Sequence, residues 1–198
     1  ALVTDLPAGY AEAFRTAYAA FSDLPVKLML TTYFGGLGDH LDLACSLGTA
    51  GLHIDVVRAP GQTAAVVDKL QPQQTLSLGC IDGRNIWLAD LDALHRAIAP
   101  VIAKIGAERL QLAPSCSLLH VPYDTADEDK LDSRVRSWLS FAQQKVEELV
   151  LLAKGPEATP AAFAENRRRH QDRLAAESST DKAVRQRLTT LVDKDFQR

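Results

Sequence analysis

Residues 75–115 read TLSLGCIDGRNIWLADLDALHRAIAPVIAKIGAERLQLAPS: a short apolar run, a polar turn, a long amphipathic run and a second short run. Residues 75–81 (TLSLGCI) alternate or are continuously apolar and end beside Gly83, as a buried strand does. Residues 90–105 place Leu91, Leu94, Ile98, Val101, Ile102 and Ile105 at three- and four-residue steps, one stripe of a helix. Pro100 predicts a kink there, because its ring removes a donor and crowds the carbonyl four residues back. Residues 109–115 (RLQLAPS), beyond Gly106, return to strand. Strand, helix and strand at this length make a βαβ unit, whose two strands run parallel.

The same unit repeats towards the amino terminus. Residues 26–32 (VKLMLTT) and 51–57 (GLHIDVV) read as strands, and Pro25 and Gly35-Gly36 bound the first. Residues 39–47 and 61–70 read as helices, the first closed by Gly48 and the second stopping before Pro72. The order is β-α-β-α-β-α-β-α, which implies a parallel sheet covered by helices. A doubly wound sheet and a (β/α)8 barrel both begin this way, and a barrel needs eight strands and roughly 250 residues. Four strands are legible. Residues 132–154 predict one long helix, with Val135, Trp138, Leu139, Ala142, Val146, Leu149 and Leu152 on its apolar face. Asp132 or Ser133 caps it, and Gly155-Pro156 stops it. Residues 161–176 and 182–196 predict two polar helices split by Ser178-Ser179-Thr180. Their basic run Arg167-Arg168-Arg169-His170 is interleaved with Glu165, Asp172 and Glu177, so it reads as a solvated helix face.

Composition narrows the function. The 198 residues carry a formal charge of -3, which offers no footprint for nucleic acid. No apolar run reaches the roughly 20 residues that cross a bilayer. Residues 1–7 lack the basic and apolar regions of a signal peptide. Three widely spaced cysteines, Cys45, Cys80 and Cys116, suit a reduced compartment, so a soluble cytoplasmic protein is expected.

The strand ends, taken in order, read TTYFG (31–35), HID with VRA (53–59), IDGRNIW (81–87) and PSCSLLH (114–120), followed by RSWLSFAQQKVE (136–147). This series closely resembles the later part of the amino-terminal domain of cobalamin-independent methionine synthases. The resemblance covers residues 25–155 well and the rest more loosely. It implies a chain organised as a lead-in helix (1–24), four βα units forming half of a (β/α)8 barrel (25–155) and a helical interdomain connector (156–198). It also implies a parent enzyme, a zinc-dependent methyltransferase that moves a methyl group from 5-methyltetrahydropteroyl-polyglutamate to homocysteine and makes methionine. In that family zinc, homocysteine and most of the folate site belong to a second barrel. The amino-terminal barrel adds a basic stretch near its start and a lysine further on, and neither motif occurs here. The resemblance therefore carries over no catalytic, metal-binding or substrate-binding residue, and this piece is expected to be scaffold, inactive alone and free of cofactor.

Several residues remain candidates on their own chemistry. Cys116 and His120 have a C-x-x-x-H spacing just past a strand, and PSCSLLH resembles a segment that donates a cysteine to zinc. A zinc site needs further ligands, and no His-x-Cys pair accompanies them. Asp55, Asp82, Arg84 and Asn85 fall at strand ends, where a barrel carries its chemistry. They could line a pocket for a pterin or a carboxylate tail, or form an ion-pair and hydrogen-bond network holding the mouth together. His53 and His95 read as satisfied structural histidines, Trp87 as packing, and Gly35, Gly36 and Gly38 as loop flexibility. Half a barrel should expose two strand edges and an apolar interior, so the remainder of the parent chain or a second copy is expected to close it. The alternative is a non-catalytic assembly module working through those edges. A free-standing pterin- or tetrapyrrole-binding barrel enzyme is a third.

Overall fold

A computed structural model describes residues 2–176 and 181–192. Its centre is β3 (Thr75–Ile81), the run from which the fold was read. β3 lies between β2 (Gly51–Asp55) and β4 (Leu110–Pro114), and β1 (Met29–Thr31) pairs with β2, giving a four-stranded parallel sheet in the order β1-β2-β3-β4. The order has no reversal among these strands, so no doubly wound switch point is present. Right-handed crossovers, the rule for such units, then put every connecting helix on one face.

The register shows which face that is. Paired residues of parallel strands project to the same side. Leu30, Leu52, Leu76 and Leu110 form one row, and Ile54, Leu78 and Leu112 another. These rows join Leu43, Val66, Leu91, Ile98 and Val101 of α2 (Leu41–Ser46), α3 (Thr63–Lys69) and α4 (Leu91–Ile105) in one core. The opposite rows are Thr31, His53, Ser77 and Gln111, then Asp55, Gly79 and Ala113. That corrects the expectation of an apolar interior: alternation in GLHID and TLSLG puts the aliphatic residues on the helix side and leaves small and polar ones opposite. His53 Nδ1 meets Ser77 Oγ at 2.9 Å, and a Cβ on Gly79 would stand 2.9 Å from His53 Cε1. Burial lowers the His53 pKa, consistent with a structural, neutral imidazole.

The helices depart from expectation at their ends. α2 and α3 are each preceded by a single 3-10 turn, and β1 is shorter than predicted, with Val26 exposed beside Pro25. α4 starts where Asp90 accepts from the Ala93 amide at 2.9 Å and runs as one helix through Pro100. In the lead-in segment, α1 (Tyr10–Ala19) packs Phe14 and Tyr18 onto the core. The single helix expected over residues 132–154 is in fact two, α5 (Ser133–Ser137) and α6 (Ala142–Ala158). Between them the chain extends, and Leu139 bridges antiparallel to Trp87: the Leu88 amide donates to Trp138 O and the Ser140 amide to Ile86 O, at 3.0 and 2.8 Å. These bonds replace the helical ones. The predicted stop holds, since α6 is broken at Gly155, whose φ of 77° and ψ of 168° are not helical.

α7 (Pro160–Ala175) is the first of the two polar helices, and it buries Phe163 while packing on α4 and α6. Its basic run is paired as expected of a solvated face: Arg167 with Asp92, Arg168 with Glu165, and Arg169 with the Ser137 carbonyl. α8 (Lys182–Thr189) is capped by Asp181. Glu177, the Ser178-Ser179-Thr180 break and residues 193–196 of the predicted last helix lie outside the described residues. Among those described, no helix is long and apolar enough to cross a membrane.

Candidate functional site

Parallel strands bring their carboxyl ends to one edge of the sheet, so the segments after β1, β2, β3 and β4 converge there. Phe34 is where they meet. Its ring lies 4.8 Å from that of Tyr33, 5.6 Å from that of His120 and 4.9 Å from the guanidinium of Arg84. Its backbone has φ 72°, the one positive value at a non-glycine position among the described residues. An aromatic residue tolerates that conformation only where its surroundings impose it. Asp55 does so. Buried at the end of β2, it accepts the Phe34 amide on Oδ2 at 3.0 Å, and the Val57 and Arg58 amides on Oδ1 at 3.0 and 2.9 Å.

Asp82, Arg84 and Asn85 form a second knot after β3. Asp82 Oδ1 accepts the Arg84 amide at 2.8 Å, and Oδ2 accepts Asn85 Nδ2 at 2.9 Å. Arg84 therefore meets Asp82 through its backbone, while its guanidinium stacks on Phe34 in place of the expected ion pair. Cation and ring are attracted through the quadrupole of the aromatic face. Tyr33 and Phe34 stay 43% and 42% exposed, leaving aromatic surface beside the Arg84 guanidinium. Such a surface can take a planar group that carries a carboxylate.

Cys116 and His120 part company. Cys116 is buried in the turn after β4, beneath Gly83, where an added Cβ would stand 3.0 Å from its Sγ. Burial pushes its thiol pKa up, and that of Cys80 to about 11, the direction of inert packing thiols. His120 is exposed, its ring turned onto Phe34. Among the described residues no three His, Cys, Asp or Glu side chains converge as a metal site requires. Cys116 and His120 do not make up a zinc donor set among the described residues.

The amino-acid sequence that builds these strand ends is similar to known proteins. Residues 1–106 match the family described as the cobalamin-independent synthase, N-terminal domain. The chain belongs to the cobalamin-independent synthase family. The 5-methyltetrahydropteroyltriglutamate–homocysteine methyltransferase of Nitrobacter winogradskyi is 49% identical over 183 residues, covering 91% of this chain and 24% of that protein. The chain thus spans about a quarter of the length of that curated synthase.

Two charged residues behind this synthase-family mouth gave no signal in sequence. Lys145 and Glu148 of α6 are 1% and 6% exposed. Lys145 Nζ donates to the Trp87 carbonyl at 3.2 Å and to Asn85 Oδ1 at 3.4 Å. Glu148 Oε1 accepts the Ala89 amide at 2.9 Å, and the Ser140 hydroxyl lies beside the carboxylate. Burial lowers the lysine pKa and raises the glutamate's, and each partner's charge opposes the shift in the other. A cavity of about 740 Å³ lies at the other end of the strands, lined by Tyr18, Phe21, Val26, Gly48 and Thr49. It has no part in the mouth.

Proposed function

We propose that this chain is part of a zinc-dependent methyltransferase that moves the methyl group of 5-methyltetrahydropteroyl-polyglutamate to homocysteine, making methionine. The observation that carries this is the 49% identity to the Nitrobacter winogradskyi enzyme across 91% of the chain. In this role residues 25–155 are half of a (β/α)8 barrel, residues 1–24 lead into it and residues 156–198 connect it to the rest of the parent. An unreversed parallel sheet with its helices on one face supports the barrel. Folate and homocysteine bind in the full enzyme, and the piece alone is scaffold. Its mouth, with Asp55, Asp82, Arg84 and Asn85, faces the folate side. In this reading the zinc is held elsewhere in the parent. The setting is cytoplasmic, as three unpaired thiols suit, with neither nucleic acid nor membrane as a partner.

The test is methyl transfer to homocysteine with added zinc, run on the 198-residue chain and on its full-length parent, with metal content measured in both. The parent should turn over and hold zinc, and the piece should do neither. Turnover or stoichiometric zinc in the piece would make Cys116 and His120 ligands and overturn the scaffold role.

A further inference from the structure

We propose that Lys145 is a positioning residue for the strand-end mouth: through Asn85 and the Trp87 carbonyl it fixes residues 82–87, and with them Arg84, against Phe34. Helix α6 would then set the geometry of the Arg84–Phe34 stack through Asn85, its own contact with the mouth. The tie stands whatever ligand the mouth takes.

The first support is an inversion. Val146 and Val150 of α6 are 49% and 47% exposed, while Lys145 and Glu148 face inward. Burying a lysine costs more than burying an aliphatic side chain, so stability alone does not account for the choice. The second is the accounting of the loop between β3 and α4. Asn85 Oδ1 takes both the Trp87 amide, at 3.0 Å, and Lys145, and Asn85 Nδ2 passes the constraint to Asp82, which holds the Arg84 amide. Further along, Ile86 and Leu88 bond residues 138–140, Ala89 bonds Glu148, and Asn166 of α7 takes the Ala89 carbonyl and the Leu91 amide. Lys145 supplies the tie on the carboxyl side of Arg84, while on the amino side the Gly83 amide donates to Ser115 Oγ at 3.2 Å. The charged groups around the pair are Asp82 from the loop and Arg169 from α7, with Ser140 beside Glu148.

Amide hydrogen exchange on the full-length chain tests this, because it reads loop and sheet separately. Lys145→Met should leave the β3 amides as slow as before while the amides of Arg84 and Trp87 exchange about tenfold faster, the effect of one lost charge-assisted bond. Lys145→Arg, which keeps donors and charge, should restore most of that protection. In the unaltered protein, loop protection corrected for intrinsic exchange should fall as pH rises, and do so at a pH below the ordinary lysine value of about 10.4, with β3 unchanged. Equal protection of the loop in Lys145→Met, or loss in loop and β3 together, would overturn the proposal. Should Lys145→Met not fold, Asn85→Ala removes the loop's end of the tie and is read at the Arg84 amide and β3 alone, because it takes away the Trp87 acceptor directly.

Discussion

At the scale of single residues, Asp55 shows how little freedom the mouth has. Its two oxygens hold three backbone amides, among them that of Phe34 in its left-handed conformation. Asp55→Ala leaves those donors without an acceptor and should lower stability in urea by about 3 kcal/mol. Asp55→Asn keeps one acceptor oxygen and should lose less. Equal stability of all three proteins would mean that water replaces the carboxylate. Position after a strand was enough to single out Asp55, Asp82, Arg84 and Asn85 in sequence. Phe34 escaped because nothing in TTYFG marks a positive φ. Lys145 and Glu148 escaped because charged residues on a helix ordinarily point to solvent, and only the neighbouring loop shows why these do not.

Among the elements, the strands were legible and the helix joints were not. The β2 and β3 cores stand out because aliphatic residues alternate with small or polar ones between glycines. The break between α5 and α6 was hidden because Trp138 and Leu139 continue the apolar period even where the backbone turns to pair with residues 86–88. The docking of α7 escaped as well, since its contacts are mostly polar. One of them makes a pH prediction. Asp172 accepts two bonds from Arg134 Nε, one from Arg134 Nη2 and one from the Trp138 indole, and these hold its carboxyl at about 2. An acid depressed in the folded state adds stability above its ordinary value, near 3.9, and loses it as pH falls through the depressed one. Trp138 emission should therefore be constant from neutrality to about pH 4 and change between about 4 and 2. Asp172→Asn should abolish that transition, and an unaltered transition in the variant would assign it to another group.

For the whole molecule, the open question is its edges. Among the described residues β1 and β4 each have one neighbour in the sheet, which leaves the outer edge of each strand without a partner strand. On the face opposite the helices Thr31 and Gln111 are exposed, with His53 and Ser77 buried between them, and exposed polar groups suit hydrogen bonding to a further layer better than collapse of apolar surface. The 198-residue chain should accordingly pair with a second copy, or with the rest of its parent when that is supplied. Light scattering checks this, and a monodisperse monomer that unfolds cooperatively would count against it. The same strand order bears on how the chain is made. Each strand pairs with the one synthesised just before it, so its partner has already left the ribosome when it emerges. Loop closures stay short, and folding can keep pace with translation, one βα unit at a time. A nascent chain arrested after β3 would already hold a smaller copy of the same sheet.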